Sequence, residues 1–556
     1  MRGKTNILII FLSIFFVLFS FIPTFYEYQM RDKIPKDRYF TLEHNYNFDY
    51  NFYLSRIKEG SEGRWLVTEK YYNHPHNASL FQIIYLYLGK TGSLFGLSET
   101  AIYHFSRMIF GLILLLAVAR FGRNFFQEKG LILFFMLSVT AGSWPILVRA
   151  GDFWRFATYY GNWSVIDSLS RITIMPHILV GQIFLVLLVI KLSSDKNLTF
   201  AQTFLWGSVS LFAGILFPPT LIIIFAYLAV LSAFELLDII SQKHGVNEKK
   251  NILGKWLKDS ILKKGVVILL ALPALIYAKI MFGTDPWKAI SLFDIEHRIP
   301  LLYMEYIKAL GPILILGIGG IIMAFIRQER KYYPAIAWIV SIVLLFAVFE
   351  NIPEQSPLRF TEGLIHVPLA VFATFFLTRI RFGKLVSAVT IFLGLTVMAS
   401  MVLWLTDQAY SKRFGTWAVP LGAQHAYPIR DFMDGIFYLR DNTKTDEVVL
   451  GYISSGNYIP AYAGNYVYIG HANTPDEDEK EKIVASFFKG EMNSQLAKSW
   501  FLRERISYVF YGPQERELGE ISGLPAQVGL RDKYGFLNPV YSNKQVTIYK
   551  INLDGK

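Results

Sequence analysis

Apolar runs of roughly 17 to 25 residues recur along the chain, the length a helix needs to cross the hydrocarbon of a bilayer, and they leave few other folds open. The first extends from about Ile7 to Ile22. Ten more lie near Tyr103 to Val118, Leu131 to Val148, Ile174 to Ile190, Phe200 to Phe217, Leu221 to Ile239, Val266 to Met281, Ile313 to Ile326, Ala335 to Phe349, Leu364 to Leu377 and Leu385 to Leu405. Backbone in lipid must satisfy its own hydrogen bonds, so these runs predict helices, about eleven in all. Several are short and imply tilt or extension into their flanks. With 53% hydrophobic and only 18% charged residues, the chain must find much of its solvent in lipid. The stretch from 81 to 97 is apolar as well, but Lys90, Gly92 and Gly96 interrupt it, which predicts an interfacial or re-entrant segment.

Arg2 and Lys4 precede the first run, and no small-residue cleavage site follows it, so we expect a retained signal anchor with a cytoplasmic N-terminus. On that parity every second connection is cytoplasmic, and each is basic. They carry Arg120, Arg123 and Lys129; Lys191 and Lys196; Lys243, Lys249, Lys250, Lys255, Lys258, Lys263 and Lys264; Arg327, Arg330 and Lys331; Arg379, Arg381 and Lys384. The formal charge of +12 is then topogenic and calls for no nucleic acid. The regions 23–102, 149–173, 282–312 and 350–363, with the tail from 406, fall outside, in a plasma-membrane protein with an extracytoplasmic C-terminus.

The division expected is a transmembrane module over 1–405, with its first external loop at 23–102, followed by an extracytoplasmic domain over 406–556. Strand-like segments DEVVLGYI, NYVYIG, ISYVFYG and VTIYKI, separated by amphipathic stretches near 476–489 and 493–504, predict a small layered α/β sheet. No glycine-rich nucleotide fingerprint occurs in it, which favours shaping a substrate or binding a partner. The chain has no cysteine, so disulfides, thiol nucleophiles and cysteine metal sites are excluded.

The external regions gather the polar chemistry. In EHNYNFDYNFYLSRIKEG, Asp49 suits a general base or a metal-bound carboxylate at the water–lipid boundary, or else an acid at the start of a juxtamembrane helix. His74 and His76 flank Pro75, a spacing compatible with metal binding, proton shuttling or plain hydrogen bonding. The second external loop supplies Asp152, Arg155, Asp167, Arg171 and His177. An arginine such as Arg171 at the membrane edge clamps a lipid phosphate or snorkels to the headgroups. In ENIPEQSPLRFTEGLIHVPLA, Arg359 is a lone cation among acids, on the side that needs no topogenic arginine, which points to an anion.

The whole pattern resembles the GT-C superfamily of polyprenyl-phosphate-dependent glycosyltransferases: an N-in first span, an acidic first external loop, about eleven spans and an extracytoplasmic α/β tail. It is most similar to bacterial relatives of the aminoarabinose, mannosyl and Rgt-type transferases. DYNFYLSRIKEG, TIMPHI, PLRFTEGLIHVPLA and YIPAYAGNYVYIGHANTPDEDEKEKIVASFF carry the likeness.

The resemblance implies an α-helical polytopic fold with a small extracytoplasmic α/β domain, and a catalytic first-loop acid at Asp49, with Glu43 as the fallback. It implies, by looser analogy, a second acidic contact at Asp152, together with a polyprenyl-phosphate-linked sugar as donor and a lipid, glycan or protein as acceptor; Arg359, Arg171, His74 and His76 join Asp152 as expected substrate contacts on their own residue chemistry. The family often has paired acids where this chain has Asp49 followed by Tyr50, so a divalent cation, Mg or Mn, is left open. The expected chemistry is inverting transfer, with Asp49 taking the acceptor proton and arginines receiving the phosphate charge. Two other classes fit many spans with external charges: a lipid or solute transporter or flippase, and a non-catalytic envelope assembly protein. Transporters place ionisable groups or broken helices at mid-bilayer, whereas here the mid-span residues are nearly all apolar.

Overall fold

A computed structural model describes residues 2–161, 163–194, 198–242, 246–521 and 530–552. Lys196 and Lys243, named above among the topogenic cations, lie outside the described residues. Among the described residues, seven helices are long and apolar enough to cross a membrane. Two bent helix pairs, Tyr303–Leu310 with Pro312–Ile326 and Pro357–Gly363 with His366–Leu377, raise the number to nine if each is one span. The chain is a multi-pass membrane protein, mostly helical, with a small sheet near its C-terminus.

The chain forms two compact units. The first comprises Met1–Ile22, Phe105–Ile280 and Asp294–Leu405; the second comprises Pro23–His104, Met281–Phe293 and Thr406–Lys556. The second unit therefore joins most of the first loop to the tail.

In the first unit the local chemistry sets the helix ends. Thr199 and Gln202 form a reciprocal capping box at the start of Phe200–Leu216. Pro218 and Pro219 open Pro218–Ser241, where a missing N–H costs nothing. Gly311, at φ +59°, makes the 83° bend between Tyr303–Leu310 and Pro312–Ile326. The run expected over Leu131 to Val148 is helical only as Glu128–Thr140. Gly142 and Pro145 follow, and the chain turns into an antiparallel hairpin of β1 (Ile146–Ala150) and β2 (Phe153–Ala157). The core packs Leu179, Val186, Ile224, Trp338 and Phe372, and the Trp338 indole donates to the Gly363 carbonyl at 2.8 Å.

The second unit is built around the helix Asn47–Ser61, which buries Tyr50, Leu54, Arg56 and Ile57. Helix Ile83–Leu94 lies against it so closely that a methyl group at Gly60 would stand 1.9 Å from the Leu86 carbonyl oxygen, and one at Gly89 1.9 Å from that of Ile57. Only glycine fits at these two crossings. The tail supplies a mixed five-stranded sheet ordered β4-β3-β5-β7-β6, from β3 (Val448–Leu450), β4 (Tyr466–Val467), β5 (Ile506–Tyr511), β6 (Leu537–Ser542) and β7 (Thr547–Ile551). The four expected strands and the two amphipathic helices, Glu477–Phe488 and Ser494–Glu504, are present. Strand β6 was not anticipated because Pro539 interrupts it; it sits at the sheet edge, where a residue without an N–H is tolerated.

Candidate functional site

Two acids belong to the body of helix Asn47–Ser61, and burial separates them. Glu59 is 1% exposed and accepts hydrogen bonds from the Thr68 hydroxyl and backbone. Burial pushes its carboxyl up, against the pull of Lys70. Asp49, in the first turn, is 45% exposed and faces His471, with Oδ1 3.6 Å from Nε2. The first turn of a helix carries unsatisfied N–H groups and a positive potential, which favours a carboxylate there.

His471 is itself 7% exposed and held on three sides. Its ring stacks on Phe52 at 4.5 Å and 14°, and leans on Tyr71 at 5.3 Å. Phe52 follows Asp49 by three positions on the same helix face. The Asn473 N–H donates to His471 Nδ1 at 3.1 Å, so the neutral ring carries its proton on Nε2, toward Asp49. At 3.6 Å the pair is a fraction of an ångström beyond a hydrogen bond. Behind it, Asn51 donates to the Asn457 side chain at 2.8 Å and Asn457 donates to the Phe48 carbonyl at 3.3 Å, which tie the helix to Ile453–Tyr462.

Glu43 is engaged at both oxygens. Its Oε1 accepts from Thr41, Asn47 and Tyr458 at 3.2, 3.3 and 3.0 Å, and its Oε2 meets the Lys412 ammonium at 2.9 Å. Lys412 also reaches Glu27 at 3.2 Å, and the Tyr427 hydroxyl donates to the same Glu27 oxygen. Burial, and then Glu43, push the Tyr458 phenol well up, which keeps it a donor. Glu43 thus fastens the first loop to the tail of the second unit.

The two candidate histidines have different partners. His74 Nε2 lies 3.0 Å from Glu504. His76 accepts the Glu69 N–H on Nε2 at 2.9 Å and is 2.9 Å from the His74 carbonyl through Nδ1, a fully bonded neutral ring. Burial lowers its pKa.

In the first unit, Arg171 donates through Nη2 to the carbonyls of Ser138, Val139 and Ala141, capping the end of Glu128–Thr140. Burial pulls its pKa down to about 10, which leaves it charged. Asp167 Oδ1 accepts the N–H groups of Leu169 and Ser170 and shapes the turn that presents Arg171. Arg171, Tyr306, Thr361 and His366 line a small cavity. Arg359, 37% exposed, sits between Asp294 at 3.9 Å and Glu362 at 3.7 Å, with its guanidinium 5.9 Å from the Trp163 ring centre. Burial raises the Asp294 carboxyl, against the pull of Arg359. Asp152 is exposed in the turn of the β1–β2 hairpin.

Among the described residues no group of three or more His, Asp or Glu side chains is disposed to hold a metal ion. Beside Asp49, His471 Nε2 in the neutral ring carries the proton that faces the carboxylate, so these two residues as placed do not form a ligand set. His471 and Lys412 were not candidates from the sequence. Each meets its partner hundreds of positions away, so no local spacing announces it; the one signal for His471 is a lone histidine in the Gly- and Asn-containing segment YIGHANTPDED.

Fold and site together define a multi-pass membrane protein that presents one half-exposed carboxylate on a short buried helix, backed by a histidine. No family model matches the chain, and no curated protein matches it. Among solved structures, it is similar to the Archaeoglobus fulgidus oligosaccharyltransferase in complex with Zn and sulfate, at 14% identity over 96% of this chain and 73% of that one, with a TM-score of 0.47. It is also similar to ArnT from Cupriavidus metallidurans bound to undecaprenyl phosphate, at 12% identity over 98% of this chain and 99% of that one, with a TM-score of 0.48. A third likeness is to the arabinofuranosyltransferase AftD from Mycobacteria, at 12% identity over 99% of this chain and 40% of that one, with a TM-score of 0.49.

Proposed function

We propose that this chain is a membrane glycosyltransferase of the GT-C type, which moves a sugar from a polyprenyl-phosphate donor to a hydroxyl of a lipid, glycan or protein acceptor. The observation that carries the proposal is Asp49: of the two acids in the body of its helix, it alone keeps a half-exposed carboxylate, and a histidine fixed by stacking and a backbone hydrogen bond stands beside it.

In the proposed reaction, Asp49 accepts the proton of the acceptor hydroxyl as the acceptor oxygen bonds to the anomeric carbon. The bond from that carbon to the phosphate oxygen breaks, its electron pair leaves with the phosphate, and the configuration inverts. In this reaction the His471 Nε2–H, 3.6 Å from Oδ1, closes onto that oxygen as the acceptor binds and leaves Oδ2 to take the proton, which makes His471 a positioning residue. In the first unit, Arg359, the more exposed of the two candidate arginines, is proposed as an anion-binding side chain in its own right, and Arg171 serves as the helix cap that its bonds describe.

The test is Asp49→Asn in membranes supplied with labelled polyprenyl-phosphate sugars. Transfer should fall about 10²–10⁴-fold, the range associated with a general base. His471→Gln should lose less, chiefly in kcat, and shift the pH profile. Full transfer by Asp49→Asn would remove Asp49 from the mechanism. A reporter fused after Tyr410 tests the proposed topology, since cytosolic activity there would put the tail on the wrong side of the membrane.

A further inference from the structure

The hairpin of β1 and β2 connects Glu128–Thr140 to Pro176–Ser194, and its base and tip are treated differently. The base is pinned. The Phe156 N–H donates to the Ser400 hydroxyl at 3.0 Å, and the Phe156 carbonyl accepts from Ser400 at 2.7 Å and from the Trp404 indole at 2.9 Å. Ser400 and Trp404 stand in the last turns of Gly383–Ser411, which belongs to one of the candidate spans, so the hairpin is held at that span's end. The tip is bare: Phe153 and Trp154, next to the turn, are 69% and 66% exposed, and Leu147, opposite Phe156 at the base, is 57% exposed. Facing water, strands of five residues ordinarily show polar side chains there.

The register places Arg149 directly opposite Trp154, and Leu147 opposite Phe156, so Leu147, Arg149 and Trp154 share one face. The Arg149 guanidinium folds back to the Gly151 carbonyl at 3.1 Å, and Arg149 remains exposed opposite Trp154 in the register. A tryptophan with an adjacent arginine, fixed to the end of a span, has the chemistry of the interfacial belt: the ring enters the acyl boundary while the guanidinium stays among the headgroups.

We infer that the β1–β2 tip is a lipid-docking element, with Phe153 and Trp154 inserted at the headgroup–acyl boundary and Arg149 on anionic phospholipid. The inference does not depend on the glycosyltransferase reading. It gives the pinned base a purpose, since a rigid mount sets the depth at which the tip enters. It also places Asp152, in the hairpin turn, at the lipid surface.

The chain contains no cysteine, so Phe153→Cys carries one label site in the full-length protein. An environment-sensitive fluorophore there, with the chain in nanodiscs of phosphatidylcholine alone or mixed with phosphatidylglycerol, reads the contact directly. Asp441→Cys, exposed in the second unit, is the control. The label at 153 should emit to the blue of the control and be quenched several-fold more strongly by headgroup-spin-labelled lipid. The blue shift should grow with phosphatidylglycerol, and Arg149→Gln should abolish that increment. Quenching at 153 equal to the control would overturn the inference. So would a label that stays water-like in nanodiscs and responds only when other proteins are added. Identical shifts in the two lipid mixtures would overturn the role of Arg149.

Discussion

Arg171 and Lys412 are almost equally buried, at 7% and 6% exposed, yet they are satisfied in opposite ways. In the helical unit Arg171 meets backbone, the carbonyls at the end of Glu128–Thr140. In the unit that joins the first loop to the tail, Lys412 meets two carboxylates, Glu27 and Glu43. The difference follows from what each unit lacks. A helix ending among apolar neighbours has orphaned carbonyls and no water to take them, so a cation with a fork of donors is the economical cap. A unit assembled from segments hundreds of residues apart has side chains to join, and ion pairs with hydrogen-bonded tyrosines join them.

The contrast breaks most visibly at Lys412. Lys412→Met leaves Glu27 and Glu43 buried together without a cation, and uncompensated buried charge costs about 3–5 kcal/mol. The thermal midpoint of the full chain in detergent should fall accordingly. Glu43→Gln should cost less, because Glu27 still pairs with the ammonium. An unchanged midpoint for Lys412→Met would mean that the ion cluster does not hold the loop to the tail.

Arg171 sharpens the same comparison from the other side. Arg171→Met exposes the carbonyls of Ser138, Val139 and Ala141 to apolar surroundings, a loss of roughly 2–3 kcal/mol for orphaned acceptors. Arg171→Lys should recover part of it, since a single ammonium reaches fewer of these oxygens. If Arg171 served a bound phosphate alone, neither change would alter the midpoint of the ligand-free protein.

These two residues also mark what was legible in the sequence. Apolar run length announced seven to nine of the roughly eleven expected spans, because a bilayer imposes one dimension on every helix, and β-rich segments of six to eight residues announced four strands of the tail. Arg171 was recognisable as an arginine needing a partner at the membrane edge, but its partners are main-chain carbonyls, which no residue type advertises. Lys412 and His471 were invisible because their partners come from the opposite end of the chain. Asp49 is an expectation from its place in DYNFYLSRIKEG, and the burial of Glu43 and Glu59 that leaves it the exposed acid is visible only in the fold. The stop at Thr140 was masked by Ile146, Leu147 and Val148, which extend the apolar run although they belong to a strand.

The smallest effect concerns His76, where a partner of the second unit is backbone after all. Its Nε2 accepts the Glu69 N–H, which the ring does only while neutral, and burial opposes the charged form, with Arg64 and Lys70 adding to the opposition and Glu69 and the His74 carbonyl countering it. The folded protein therefore binds the His76 proton less readily than the unfolded chain, whose value is near 6.5. Between the lowered folded value and 6.5 the unfolded state holds more protons, so stability rises with pH across that window and is complete above it. Acidifying from neutrality through this window should lower the thermal midpoint, and His76→Gln, whose amide oxygen still accepts the Glu69 N–H but does not titrate, should flatten the profile by about 1–2 °C. A profile of the same slope in both proteins would assign the acid sensitivity to another group and leave His76 as one more neutral acceptor of backbone, like the carbonyls that Arg171 serves in reverse.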